Sequence, residues 1–120
     1  MKKILIVDDS SLVRIYHSSI LKSANYLSEI AINGAEALEK SLMNDYDLIL
    51  CDINMTVMDG ITFIQKYRKT GKETPIIIIT TVEESRQRVI GFQAGANVYV
   101  VKPAEPDYLI ENIRMLLGEF

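Results

Sequence analysis

The chain has 120 residues, 48% of them hydrophobic and 24% charged, which is the size and composition of one globular domain. Its net charge of −3 excludes the basic surface that a nucleic-acid backbone or an anionic membrane requires, so we expect no direct nucleic-acid partner. The single cysteine, Cys51, excludes an internal disulfide, and no apolar stretch approaches the roughly 20 residues needed to cross a bilayer. These features predict one ordered domain over residues 1–120, cytoplasmic, without membrane insertion, and monomeric.

The first third of the chain alternates apolar runs with a segment of helical period. Residues 3–7 form a continuous apolar run, which is typical of an interior strand of a parallel sheet. A helix is predicted over 11–22, and a weaker strand near 27–32. A second helix is predicted to begin after Asn33, which can cap it. The residues of the first helix that we expect to cover the sheet are Leu12, Tyr16, Ser19 and Ile20, with Val13 and Leu21 beside them.

The rest of the chain continues the alternation. Its elements, in chain order, are a strand at 47–51, a helix at 61–70, a strand at 75–80, a helix at 84–94, a strand at 97–101 and a helix at 107–117. Gly71 and Gly95 end two of these helices. Because strand and helix alternate five times, we predict an α/β fold: a doubly wound, five-stranded parallel sheet with five helices on its two faces.

Polar side chains follow the predicted strands at the points where the strands end. Asp8 and Asp9 follow the first strand, Asp52 follows the third, Thr80 ends the fourth and Lys102 follows the fifth. Because ligands of open parallel sheets bind beyond the carboxyl ends of the strands, we expect these side chains to share one site.

The chemistry of this set points to a cation and a phosphoryl group. Clustered carboxylates repel one another unless a cation intervenes, and Mg²⁺ prefers oxygen ligands supplied by a few carboxylates, water and phosphate. Lys102 is expected to pair with Asp52 in the resting state and with the phosphoryl oxygens after phosphotransfer. A carboxylate beside a metal and an ammonium is a competent nucleophile toward phosphorus.

The segments ILIVDDS, LILCDINM with MDG, IIIITT and YVVKP, in this order and spacing, resemble the receiver domain of two-component response regulators. The resemblance covers the whole chain and is greatest to the stand-alone chemotaxis type. It implies the strand order 2-1-3-4-5 and a cis peptide bond between Lys102 and Pro103, although sequence alone gives an X-Pro bond only about a 5–6% chance of being cis.

The resemblance also implies the role of each site residue. Asp52 would be the phosphorylation site. The implied Mg²⁺ ligands are Asp9, Asp52, the backbone carbonyl of Asn54, and Asp8 through water. Thr80 and Lys102 would contact the phosphoryl group. Thr80 and Tyr99 would form the switch, in which Tyr99 turns inward when the threonine moves.

The implied function is signalling rather than turnover. A histidine kinase or phosphotransfer protein would donate the phosphoryl group, and the aspartyl phosphate would hydrolyse slowly without further help. A downstream protein would bind the surface of the fourth helix, fifth strand and fifth helix. Candidate exposed residues of that surface are Arg86, Gln87, Arg88, Tyr99, Glu105 and Tyr108.

Several positions depart from the common pattern of the family. Asn54 and Val82 occupy positions that tune the lifetime of the phosphoryl group. Ala104 stands where an aromatic residue is frequent, and we expect this to alter the output surface rather than the site. The lone histidine, His17, is expected to be a surface or interhelical residue without a role in phosphotransfer.

Two other classes of function remain as alternatives. Residues 52–56 superficially resemble the motif of a haloacid-dehalogenase-like phosphatase, but Asn54 replaces its acid/base aspartate. A passive flavodoxin-like binding module would share the fold, but it does not explain three acids beside Lys102. Turnover of a phosphoester would favour the first alternative, and tight binding of flavin or nucleotide the second.

Overall fold

The structure is a computed structural model that describes residues 1–81 and 85–119. Val82, and residue 84 as the predicted start of a helix, lie outside the described residues. The described strands are β1 (Lys3–Val7), β2 (Leu27–Ala31), β3 (Leu48–Cys51), β4 (Ile76–Thr80) and β5 (Val98–Val101). The described helices are α1 (Ser11–Ser23), α2 (Gly34–Met43), α3 (Gly60–Lys69), α4 (Ser85–Ala94) and α5 (Pro106–Leu117).

The five strands form one parallel sheet in the order β2-β1-β3-β4-β5, which confirms the predicted fold class and strand order. Three strands begin one residue later than predicted, and before two of them, β3 and β5, the preceding residue is a polar anchor. The carboxylate of Asp47 accepts a hydrogen bond from the Lys3 amide at 2.7 Å, and the side chain of Asn97 accepts one from the Ile76 amide at 2.8 Å. These polar residues fix where neighbouring strands start.

The sheet is buried on both faces, as its continuous apolar strands predict. Alternate residues such as Val7, Cys51 and Ile78 pack under α2, α3 and α4. The intervening residues, including Ile6 and Leu50, pack under α1 and α5. None of the helices in the described part of the chain is long and apolar enough to cross a membrane.

Helix α1 turns a different face to the sheet from the one the sequence pattern indicated. Leu12 is 78% exposed, Tyr16 is 41% exposed and Ser19 is exposed, whereas His17 is buried together with Ile20. The predicted stripe was therefore wrong at those three positions. The cause is the histidine: counted as polar, it concealed a stripe of buried and half-buried residues at positions 13, 17, 20, 21 and 24, which have helical spacing.

Two helix starts follow their capping residues. The side chain of Asn33 accepts a hydrogen bond from the Glu36 amide at 2.9 Å, which confirms it as the cap of α2. Helix α5 begins at Pro106, one residue earlier than predicted, with Glu105 as its cap. Proline suits a first helical position because its missing N–H has no partner there.

The loop between β3 and α3 holds one strained residue. Val57 has φ of 69° and is 84% exposed, although left-handed backbone is unfavourable for a β-branched side chain. We therefore expect Val57→Asn to raise the free energy of unfolding by about 1 kcal/mol, since asparagine tolerates this conformation and little apolar burial is lost. Chemical denaturation measures the change. The reverse substitution at the exposed left-handed Asn25 (φ of 65°), Asn25→Val, is the matched control and should lower stability by a similar amount; a neutral or destabilising Val57→Asn would contradict the strain.

Candidate functional site

The structure brings the three acids together at the carboxyl end of the central strands. Asp52 is held by its amide, which donates to the Val7 carbonyl at 2.9 Å, and the Asp8 amide donates to the Ala31 carbonyl at 3.1 Å. One carboxylate oxygen from each of Asp8, Asp9 and Asp52 lies within 4.8 Å of the others. Asp8 and Asp52 are buried and Asp9 is exposed, so the cluster opens to solvent on the side of Asp9.

The ammonium of Lys102 lies between the two buried acids. Its Nζ is 2.7 Å from Oδ2 of Asp8 and 3.3 Å from Oδ2 of Asp52. The sequence predicted a pair with Asp52, but the closer partner is Asp8. The backbone amide of Lys102 donates to the Thr80 carbonyl at 2.8 Å, which extends the β4–β5 pairing and places the lysine over the acids. The Lys102–Pro103 peptide bond is cis, as predicted.

The remaining oxygens of the buried acids are occupied by backbone amides. Oδ1 of Asp52 accepts from the Ile53 amide at 2.8 Å, and Oδ1 of Asp8 accepts from the Ser10 amide at 2.9 Å. The Oδ2 atoms of both acids therefore face Lys102. The carbonyl of Asp8 accepts a hydrogen bond from the Arg14 guanidinium at 2.8 Å, so α1 fixes the peptide that joins Asp8 to Asp9.

The charges of the site perturb one another. Burial raises the pKa of the Asp52 carboxyl, the Lys102 ammonium opposes this, and the negative charge of Asp8 adds to it. Burial alone would lower the pKa of Lys102, but its hydrogen bond to Asp8 and the charges of Asp52 and Asp8 outweigh burial and raise it. Lys102 is therefore a permanent cation at neutral pH. Three carboxylates against one ammonium leave two negative charges, which a divalent cation would neutralise.

Cys51 and Gly60 constrain the backbone of Asp52. The carbonyl of Asp52 accepts a hydrogen bond from the Cys51 thiol at 3.1 Å. A β-carbon on Gly60, the first residue of α3, would lie 1.9 Å from that same carbonyl oxygen. The amide of Gly60 donates to the Ile53 carbonyl at 2.8 Å. Helix α3 therefore begins in direct contact with the backbone that carries Asp52.

Thr80 and Tyr99 lie on the face of the sheet covered by α3 and α4. Thr80 is fully buried, and among the described residues its Oγ1 is the buried side-chain polar atom that lacks a hydrogen-bond partner. Tyr99 is 5% exposed, so its assignment to the exposed output surface was wrong. Its ring lies 4.7 Å from the Arg88 guanidinium carbon and 6.5 Å from the Phe92 ring, which holds it against α4.

Other predicted surface residues vary in exposure. Arg86, Glu105 and Tyr108 are exposed, whereas Gln87 and Arg88 are half-buried. Asn54, whose carbonyl was a predicted ligand, is exposed and follows Asp52 by two residues in the sequence. Ala104 is 1% exposed and packs between α1 and α5, so it belongs to the core rather than to an output surface.

Sequence reasoning missed several residues around the acids. Arg14, Tyr16 and His17 reach the site region from α1, and Gly60 supports Asp52 from α3. Helical spacing offered a signal for Arg14 and His17. They follow Ser10 by about one and two helical turns, on the side of α1 that faces the end of the sheet. No local signal marks Gly60, since its role depends on the approach of another segment.

The acid cluster fits a hard divalent cation. Its donors are all carboxylate oxygens, the set that Mg²⁺ prefers, and the open side at Asp9 leaves room for water or phosphate oxygens. The buried Thr80 hydroxyl, which has no hydrogen-bond partner among the described residues, lies at the carboxyl end of β4, the same edge of the sheet.

Comparison with known proteins decides the family. Residues 4–114 match the response regulator receiver domain. The chain belongs to that family. It is a receiver domain of the two-component response regulators, a family of phosphoacceptor switches that bind Mg²⁺ through an acidic pocket and work with kinases or phosphotransfer proteins.

Relatives of this receiver domain include regulators of different length. It is 42% identical over 115 residues to the transcriptional regulatory protein ResD of Bacillus subtilis, covering 96% of this chain and 48% of ResD. The chain thus spans about half the length of the transcriptional regulators it matches. The chemotaxis protein CheY4 of Vibrio cholerae superposes with a TM-score of 0.91 at 37% identity, covering 98% of this chain and 99% of CheY4.

A third relative carries a ligand. The response regulator TrrA of Thermotoga maritima, solved in complex with Mg²⁺ and BeF, superposes with a TM-score of 0.89 at 36% identity. The match covers 98% of this chain and 100% of the TrrA chain. The family result agrees with the signalling hypothesis and not with the phosphatase or passive-module alternatives.

Proposed function

We propose that this receiver domain accepts a phosphoryl group on Asp52 and thereby changes the surface formed by α4, β5 and α5. The observation that carries the proposal is the position of Asp52: a buried acid with one oxygen held by an amide and the other 3.3 Å from the Lys102 ammonium, beside two further acids. A phosphoryl group on that oxygen would meet a fixed cation without rearrangement of the backbone.

Asp9, Asp52 and the carbonyl of Asn54 would hold Mg²⁺ directly, with Asp8 acting through water. The bound ion would supply charge stabilisation for the transferring phosphoryl group. The chain's own residues orient the reaction. The Ile53 amide holds Oδ1 of Asp52, which leaves Oδ2 as the attacking atom. A bond forms from Oδ2 to phosphorus, and the bond from phosphorus to the donor's imidazole nitrogen breaks.

Lys102 and Thr80 would receive the transferred group. Lys102 already lies against Oδ2 of Asp52, so it would contact phosphoryl oxygens as they arrive. The Thr80 hydroxyl would donate a hydrogen bond, and its lack of a partner in the described part of the chain supports that role. Movement of Thr80 would be coupled to Tyr99, which is buried on the same face and packed against α4.

The partners follow from this chemistry. A histidine kinase or phosphotransfer protein would be the donor, and the downstream partner would bind the α4–β5–α5 surface, where Arg86, Glu105 and Tyr108 are exposed. The net charge of −3 supports a protein partner rather than nucleic acid for this domain. We take the domain to span residues 1–120 and to be a cytoplasmic monomer. Hydrolysis of the phosphoryl group would be slow and self-catalysed, without turnover of other substrates.

Asp52→Asn tests the proposal. We expect wild type to gain one phosphoryl group from acetyl phosphate only when Mg²⁺ is present, and the variant to gain none, because the amide is not a nucleophile toward phosphorus. Intact-mass spectrometry measures the gain. Asp59→Asn is the matched control: Asp59 is an exposed acid that caps α3, and asparagine caps equally well, so it should be phosphorylated like wild type. A folded wild-type chain that gains no mass, or an Asp52→Asn variant that does, would contradict the proposal.

A further inference from the structure

One hydrogen bond ties α1 to the loop that carries Lys102. The hydroxyl of Tyr16 donates to the carbonyl oxygen of Ala104 at 2.8 Å, across a separation of 88 residues. Ala104 lies two residues after Lys102, between β5 and α5. The contact therefore spans from the first helix to the segment whose lysine reaches the buried acids.

The carbonyl of Ala104 needs this partner. A helical continuation of α5 would offer it the amide of Tyr108, four residues on, but that amide donates instead to the Glu105 carboxylate at 2.8 Å. Ala104 is 1% exposed, so its carbonyl lies in a region from which water is largely excluded. A buried carbonyl without a partner is destabilising, which favours retention of the Tyr16 contact.

The ring of Tyr16 also belongs to the surroundings of Lys102. It meets the His17 ring edge-on, with the centroids 5.5 Å apart. Tyr16 is partly exposed, and the apolar groove that it lines runs along α1 to the stem of the lysine. The residues of this groove are Leu12, Val13, Tyr16, His17, Lys102 and Pro103.

Lys102 depends on few fixed points. Its amide is bonded to the Thr80 carbonyl, and its ammonium lies 2.7 Å from Asp8. Beyond it, the next backbone group held by another element is the Ala104 carbonyl, bound by Tyr16. The Thr80 and Tyr16 contacts thus clamp the loop on both sides of the lysine.

We infer that Tyr16 is a positioning residue: its hydroxyl holds the loop after β5 against α1 and so keeps the Lys102 ammonium where a phosphoryl group on Asp52 would contact it. The inference rests on the proposed function of Asp52 and Lys102. Tyr16 itself touches neither the acids nor a ligand, so its effect is exerted through the loop.

Tyr16→Phe isolates the hydroxyl, because phenylalanine retains the ring in the groove. At saturating Mg²⁺, we expect the affinity for beryllofluoride, a phosphoryl mimic, to fall roughly 3- to 10-fold, as expected for loss of one hydrogen bond. The affinity for Mg²⁺ alone should not fall, because Lys102 competes with the cation for Asp8 and loosening the lysine relieves that competition. Calorimetric titration measures both affinities, and amide exchange of Lys102, Ala104 and Glu105, measured without ligand, should quicken.

Tyr26→Phe is the matched control. Tyr26 is also a tyrosine whose hydroxyl bonds a distant segment, donating to Glu119 at 2.7 Å, but it lies beside the first residues of β2, at the opposite end of the sheet. Tyr26→Phe should lose stability similarly and leave both affinities unchanged.

The outcomes separate the inference from the proposed function. A wild-type chain that does not bind beryllofluoride with Mg²⁺ overturns both. If wild type binds it but Tyr16→Phe binds equally well, or if Mg²⁺ and beryllofluoride affinities fall together, only the positioning role is overturned, since a general loss of order would weaken both ligands.

Discussion

Gly60→Ala is expected to lower the free energy of unfolding by about 3 kcal/mol or more. The new methyl group would lie 1.9 Å from the Asp52 carbonyl oxygen and 3.1 Å from the Cys51 sulfur. Both obstacles belong to the end of β3, which is fixed in the centre of the sheet, so no flexible side chain can move aside. Either α3 or the backbone of Asp52 must shift, and the folded fraction should react more slowly with phosphoryl donors.

Chemical denaturation of Gly60→Ala beside Gly118→Ala measures this effect. Gly118 has φ of 71° and no atom within 4 Å of an added β-carbon, so its substitution carries only the cost of left-handed backbone, about 1 kcal/mol. Gly60→Ala should be clearly worse than this control. If the two variants unfold at the same denaturant concentration, the close approach of α3 to Asp52 does not limit stability.

The convergence of the acids on one edge of the sheet could be predicted from the strand ends, and the family resemblance implied that β1 lies beside β3, as the structure confirms. Asp8 and Asp52 directly follow strands that are continuous apolar runs, and adjacent parallel strands end at the same edge. The register pairs Val7 with Cys51, so the two acids that follow necessarily become neighbours. No side-chain detail is needed for that conclusion.

The ion pairing and helix phase required information that the sequence does not carry. Which acid lies nearer to Lys102 depends on distances of a few tenths of an ångström, 2.7 Å against 3.3 Å. The phase of α1 depends on whether His17 is counted as polar or apolar, and that depends on its surroundings. Tyr99 was assigned both an inward and an exposed role, and its burial against Arg88 and Phe92 of α4 decides between them.

His17 makes the fold sensitive to acid. The imidazole is buried beside Asp8 and Asp52, and burial lowers its pKa from 6.5 to about 4, with the Asp8 charge opposing and the Lys102 charge adding to the shift. The unfolded chain therefore binds a proton below about pH 6.5 that the folded chain does not bind until about pH 4. Stability from this group is complete above pH 6.5 and is lost as the pH falls, by about 3 kcal/mol at pH 4.

His17→Leu should remove this loss while filling the same position on α1 with an apolar side chain. The difference in unfolding free energy between wild type and variant should change by about 3 kcal/mol between pH 7 and pH 4, in favour of the variant at low pH. Acids common to both chains, including Asp52 with its raised pKa, cancel in that difference. His17 is the only histidine, so its ring resonance can be titrated directly by NMR without Mg²⁺. A ring that titrates near pH 6.5, or a difference that does not depend on pH, would mean that the imidazole is solvated and that α1 does not bury it beneath the acids.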